Sequence, residues 1–330
     1  MSLLRVENLR THFAVPIPGN PFFAKRTLKA VDGVSFAINE GEVLGLVGES
    51  GCGKTTVGRT LTRLDDATDG AAYLMGTDIL GLSKSQFTPM RRHIQMVFQD
   101  PFASLNPRLT IQQTLYEPLK VHGIAKSRAH VRQKISEILE QVGIDSAAMK
   151  HYPHQFSGGQ RQRIGIARAL IISPKLVVAD EPVSALDVSV QAQVLNLICE
   201  IQKTFKLAML FISHDLGVVR YVSDRVAVMY LGRIVETGGS NDLFSHANHP
   251  YTRLLLESIP QPSPSHTRTT VNIVGEPANA ADPPSGCVFH PRCRFATDIC
   301  RQRAPKLIDL GNQHHTACHH AARFVEKPHE

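Results

Sequence analysis

Short apolar runs punctuate the chain up to about residue 260, and amphipathic stretches fill the intervals between them. Glu42-Val43-Leu44-Gly45-Leu46-Val47, Met96-Val97-Phe98, Leu176-Val177-Val178-Ala179 and the run from Leu207 to Ser213 are short, continuous and closed by a polar or glycine residue. Runs of this kind predict parallel strands buried on both faces. Helical spacing predicts helices over Lys54 to Leu64, Ser127 to Val142 and Arg161 to Ile172, and residues from about 100 to 170 are helix-rich. Near the start, residues 3–9 and 34–39 read as an antiparallel strand pair, separated by an insertion from Val15 to Leu28 that carries three prolines and Phe22-Phe23. Strands alternating with helices predict an α/β fold.

Candidate chemistry sits at the ends of these strands. Gly48-Glu49-Ser50-Gly51-Cys52-Gly53-Lys54-Thr55 follows one strand and opens a helix, the context in which G-x-x-x-x-G-K-[ST] binds phosphate. Glycines let backbone N–H groups turn toward phosphate oxygens, and the helix N-terminus adds positive potential. Lys54 is expected on the β- and γ-phosphates of ATP and the Thr55 hydroxyl on Mg²⁺, with Thr56 beside them. Asp180 ends an apolar run where ligands collect in parallel sheets, and is expected to reach Mg²⁺ through water. Glu181, one residue on, is placed to orient or deprotonate the water that attacks the γ-phosphate. His214 follows the next apolar run and offers an imidazole to the γ-phosphate or to Glu181, although a lone His at a strand end is more often structural. Gln99 ends another run, and its amide suits Mg²⁺ or the attacking water. Ser157-Gly158-Gly159-Gln160 precedes a helix, either as a second anion site or as a plain N-cap.

Taken together, these residues resemble the nucleotide-binding subunit of an ABC transporter. The Walker A loop is Gly48 to Thr55, the Q-loop residue Gln99, and the signature Phe156-Ser157-Gly158-Gly159-Gln160, with Phe156 where many members carry leucine. Asp180-Glu181 closes the Walker B strand, Ser184-Ala185-Leu186-Asp187 is the D-loop, and His214 the switch histidine. The resemblance implies a P-loop α/β domain over residues 1–260, with a RecA-like core, an antiparallel β subdomain and an α-helical signature subdomain at about 100–170. It places Phe13 on the adenine, a position at which a core Phe is almost as reasonable. It also implies that Ser157, Gly158, Gly159, Gln160 and Asp187 face nucleotide held by a partner, so that ATP closes two ATPase domains on each other. Pro101 to Arg108, following Gln99, is implied as the groove for a helix of a membrane subunit.

Composition narrows the setting. No apolar run approaches the roughly 18 residues of a membrane span; the longest, Ile164 to Ala179, is broken by Arg168 and Lys175. The start lacks a hydrophobic signal core, so a cytosolic location is expected. A net charge of +7 suits either an anionic membrane face or nucleic acid. Nucleic-acid relatives carry long insertions or two ATPase domains. Only a compact segment separates Thr55 from Ser157 here, so no nucleic-acid partner is expected.

Beyond residue 260 the texture changes. Residues 261–286 are rich in Pro, Ser and Thr and read as a linker. Cys287, Cys293, Cys300 and Cys318 then place four of the six cysteines within 32 residues. In a cytosolic chain such clustering suggests a metal site rather than disulfides. The intervals of five, six and seventeen residues lack the paired C-x-x-C of common zinc modules. Four thiolates fit a [4Fe–4S] cluster equally well, nearby histidines offer alternative ligands, and unligated thiols are the bland reading. Pro284 to Cys293 resembles the C-terminal extension, here 287–330, of ATPases that power oligopeptide and dipeptide importers, most like the F-type subunit of a dipeptide permease. That resemblance favours [4Fe–4S] over Zn²⁺. It implies a heterodimer with a second ABC ATPase, two transmembrane permease subunits, an external peptide-binding protein, and a peripheral place on the cytoplasmic face of the membrane. Nickel, glutathione or an antimicrobial peptide remain alternative cargoes.

Overall fold

The computed structural model describes residues 2–17, 20–258 and 279–324, which fall into two compact units. One comprises the first four residues, Ala37–Val43 and Tyr73–Ile212; the other comprises Arg5–Phe36, Leu44–Ala72 and the chain from Ser213 onward. Most of the expected linker, 261–278, and the end of the chain from 325 lie outside the described residues.

In the first unit, strands Ile94–Val97, Leu176–Asp180 and Ala208–Ser213 run parallel, with Val97 opposite Ala179 and Asp180 opposite Ile212. Every residue of the second and third is buried, which is why their sequences are continuous apolar runs rather than alternating ones. Helices Ile111–Val121, Arg128–Gln141, Gly158–Leu170 and Val188–Phe205 belong to the same unit. Thr110 and Ser127 cap the first two through their hydroxyls, which accept from the N–H groups of Gln113 and His130. The helix expected from Arg161 begins three residues earlier, because Ser157 and Gln160 form a reciprocal capping box.

In the second unit, strand Val43–Val47 pairs in parallel with Arg225–Tyr230, which pairs antiparallel with Arg233–Gly239. The C-terminal segment extends that edge, since Thr316 pairs with Glu236 and His315 with Thr237, while Ile308–Asp309 pairs in turn with His315–Thr316. Near the start, strands Ser2–Ile17 and Asn20–Asn39 run through the expected insertion instead of stopping at it. Asn20–Asn39 lies at the edge of its sheet, where a proline such as Pro21 costs no central ladder bond. The helix expected to reach Leu64 ends at Leu61, where Thr62 turns its hydroxyl back to the Gly58 carbonyl and Arg63 adopts a left-handed φ of 55°.

A buried polar cluster secures the added strands. Glu236 is fully buried and accepts from the N–H groups of Asn248 (2.5 Å) and His249 (3.1 Å), while His314 Nε2 lies 2.8 Å from its carboxylate. His249 Nδ1 accepts from the Tyr251 N–H at 3.1 Å, which requires a neutral acceptor nitrogen. Burial pushes the His249 imidazole down to about 4 from 6.5, against the attraction of Glu236. The unfolded chain therefore takes up a proton that the folded chain refuses. The associated stability is present above pH 6.5 and lost as pH falls toward 4. By pH 5 the loss is about 2 kcal/mol. Thermal melts at neutral pH and pH 5 should show a drop that His249→Gln reduces by that amount; an unchanged drop would remove His249 from this role.

Candidate functional site

The phosphate loop of the second unit is held by backbone geometry that only glycine permits at two points. Gly48 and Gly53 have φ of 154° and 106°, and a Cβ there would lie 2.2 Å from the Met229 carbonyl oxygen and 2.0 Å from that of Ala30. Helix Lys54–Leu61 starts with no side-chain cap at Gly53, the arrangement of an anion-binding terminus. Lys54 is buried and donates to the carbonyls of Gly48 (2.7 Å) and Glu49 (3.0 Å), so its ammonium lies along the inner wall of the loop. Cys52 is buried 3.8 Å from Lys54 Nζ, and burial raises its thiol pKa. Ser50 and Thr55 are exposed, Gly51 lies at the exposed turn with φ 78°, and Thr56 is half-buried. Phe13 is half-buried on strand Ser2–Ile17, and His214 is exposed just after Ser213.

Two contacts of this loop were not readable from the motif. The Glu49 N–H donates to Tyr251 Oη at 2.8 Å. Its carboxylate accepts both branches of the Arg292 guanidinium, at 2.7 and 2.9 Å. Neither partner carries a local sequence signal, since Arg292 stands alone between Pro291 and Cys293.

In the first unit the strand Leu176–Asp180 delivers a buried Asp180 and then a half-buried Glu181. Glu181 has a left-handed φ of 44° and its N–H is held by the Ile212 carbonyl at 2.9 Å. A non-glycine residue in that region stores strain, which is common at functional positions. Gln99 Nε2 donates to Glu181 Oε2 at 2.9 Å, so the structure joins two candidates that the sequence leaves 82 residues apart. This contact helps to orient the Glu181 carboxylate.

The signature occupies the start of helix Gly158–Leu170. The Ser157 hydroxyl accepts from the Gln160 N–H at 3.3 Å, and the Gln160 side chain accepts from the Ser157 N–H at 3.0 Å. Ser157 is thus an N-cap as well as an exposed hydroxyl at a helix terminus. Gly159 is buried against the helix that follows the D-loop: a Cβ there would lie 2.3 Å from Val190 Cγ1, while one at Gly158 would sit 3.5 Å from Leu186. Asp187 is the exposed N-cap residue of Val188–Phe205. Signature and D-loop are therefore packed as one piece.

Cys287, Cys293, Cys300 and Cys318 line one small cavity together with His290, His319 and His320. The Cys287 N–H donates to the Cys300 carbonyl at 2.8 Å. Burial, with the neighbouring thiols adding to it, pushes the Cys287 thiol up to about 11 and that of Cys318 to about 12. Among the described residues, no group of three or more His, Cys, Asp or Glu is placed to hold a metal ion.

The family model described as ABC transporter matches residues 31–184, and the model described as oligopeptide/dipeptide transporter, C-terminal region, matches residues 235–300. The oligopeptide transport ATP-binding protein AppF of Bacillus subtilis is 49% identical, over 96% of this chain and 97% of its own. The di/tripeptide transport ATP-binding protein DppF of Pseudomonas aeruginosa is 47% identical, over 98% and 99%. Among solved structures, an ATP-binding cassette in a dimeric post-hydrolysis state bound to ADP and phosphate is 28% identical with a TM-score of 0.63, covering 72% of this chain and 98% of that one.

Proposed function

The chain belongs to the family of ABC transporter ATP-binding proteins, and on that premise we propose that it spends ATP to drive import of oligopeptides or dipeptides through membrane-spanning partners. The likeness that carries this reading is nearly full-length similarity, at 49% identity, to a protein named for oligopeptide transport. The match of residues 235–300 to the peptide-transporter C-terminal region supports it independently. An ATPase acting on nucleic acid is not favoured, since that region is one of peptide transporters. No helix among the described residues is long and apolar enough to cross a membrane, so attachment to the membrane is assigned to the partners.

In this reading Lys54 and the glycine-rich loop bind the phosphates of ATP, and Glu181, oriented by Gln99, takes the proton from the attacking water. Thr55 on the phosphate loop, and Gln99 and Asp180 within their own unit, are oxygen donors of the kind Mg²⁺ takes, and that ion would neutralise charge on the phosphates. Ser157 and the glycines after it offer a hydroxyl and helix-terminal N–H groups to nucleotide carried by a second ATPase. That arrangement makes ATP the bridge of a dimer, and the pseudo-symmetric partner is a second, different ABC ATPase. His214 is assigned to the γ-phosphate and Phe13 to the adenine.

The four thiols fit a [4Fe–4S] cluster by count and by sharing one cavity. Each iron of such a cluster takes one thiolate, so its ligands stand further apart than those of a single ion. When bound, the cluster would supply a redox-active staple for a lobe with little apolar core of its own. Cys287 and Cys318, held neutral by burial, would lose their protons on binding it. Intact complex purified anaerobically should be brown, with a broad absorbance near roughly 400 nm, and should contain iron and two membrane-spanning subunits. Colourless protein with stoichiometric zinc would reverse the cluster assignment, and absence of membrane subunits would contradict the transporter reading.

A further inference from the structure

The x positions of a G-x-x-x-x-G-K loop owe nothing to phosphate chemistry, since the backbone and the lysine do the binding. Glu49 nevertheless receives two dedicated partners. Arg292 comes from 243 residues downstream, and its side chain is only 3% exposed, whereas that of Glu49 is 26% exposed. A buried guanidinium forking onto a carboxylate is geometrically specific and costly to break. Tyr251, which accepts from the Glu49 N–H, packs 4.7 Å from Tyr230 and 5.3 Å from Phe289. Phe289 meets Tyr230 edge-on at 5.3 Å and lies two residues from Cys287. Both the amide and the carboxylate of Glu49 are thus held by groups against which the cysteine-lined lobe is packed.

We propose that Arg292 is a positioning residue of the phosphate loop, so that the cysteine-lined lobe forms part of the ATP site by fixing and neutralising Glu49. An uncompensated carboxylate beside a loop built for a triphosphate opposes binding through like-charge repulsion, and a loop released at Glu49 must be re-ordered by the nucleotide. The lobe removes both costs in advance. The inference rests on the reading that Gly48 to Thr55 binds ATP.

The test is equilibrium binding of a fluorescent ATP analogue to the full chain, with steady-state kinetics of the assembled complex. Circular dichroism should confirm that each variant is folded. Arg292→Met should raise Kd and KM for ATP about ten-fold while kcat at saturating ATP stays within about two-fold. The double variant Arg292→Met/Glu49→Gln should recover most of the affinity, because the stranded carboxylate is gone. Arg292→Lys, which keeps the charge but loses the fork, should raise Kd about three-fold and covers the case in which the methionine variant does not fold. A staple that merely holds the lobe in place would instead lower kcat or the folded fraction at unchanged KM. Wild-type affinity in folded Arg292→Met or Arg292→Lys, or a double variant as weak as Arg292→Met, would overturn the proposal. Failure of the wild-type chain to bind ATP would instead sink the reading on which it rests.

Discussion

Glu181→Gln lowers ATP turnover about 10²- to 10⁴-fold while leaving ATP binding intact. The amide keeps the shape of the carboxylate and retains a carbonyl oxygen that can accept from Gln99, now 2.9 Å from Glu181 Oε2. It also tolerates the left-handed backbone no worse than Glu181 does at φ 44°. What disappears is the basicity needed to take a proton from water. Phosphate release measured beside equilibrium nucleotide binding separates the two effects. Size-exclusion chromatography of the variant with the partner ATPase and ATP should show an accumulated closed dimer. Turnover near wild type would remove Glu181 from its assigned role.

Lys54→Ala weakens ATP binding about 100-fold, the scale of losing charge-assisted hydrogen bonds to a phosphate. The substitution also deletes the bonds from Lys54 Nζ to the carbonyls of Gly48 and Glu49 at 2.7 and 3.0 Å, so the loop loses an internal brace as well as a ligand. Lys54 is buried, only 4% exposed. A binding titration on folded variant protein decides the matter, and near-normal affinity would count against the phosphate cradle.

The sequence disclosed those features that local chemistry dictates. Phosphate binding requires glycines and a lysine at fixed spacing, so Gly48 to Thr55 was legible as soon as a strand preceded it and a helix followed. The continuous apolar runs before Asp180 and His214 revealed strands buried on both faces. Features set by distant parts of the chain were not legible. Gln99 ended one apolar run and Glu181 stood just past another, yet nothing in either run said that they would meet. The Glu49–Arg292 pair was still less accessible, because an arginine beside a cysteine carries no periodic or spacing signal. The start of the signature helix was placed too late because two glycines are poor helix formers, and the reciprocal cap of Ser157 and Gln160 overcomes that penalty. Prolines made Val15 to Leu28 look like an interruption, whereas Pro21 falls on an edge strand, which accommodates it. The cysteine spacing indicated a cluster of thiols, and the shared cavity adds that they converge.

The central claim is that ATP hydrolysis at this chain moves peptide across a membrane. Its most direct test is uptake of a labelled peptide by vesicles carrying the complete transporter and its external binding protein, with ATP supplied on the side that exposes this chain. The account predicts uptake that requires ATP, scales with phosphate release and disappears when Glu181→Gln replaces the wild-type chain. Uptake that persists with Glu181→Gln, or ATP hydrolysis by the complete assembly without any peptide accumulation, would contradict it.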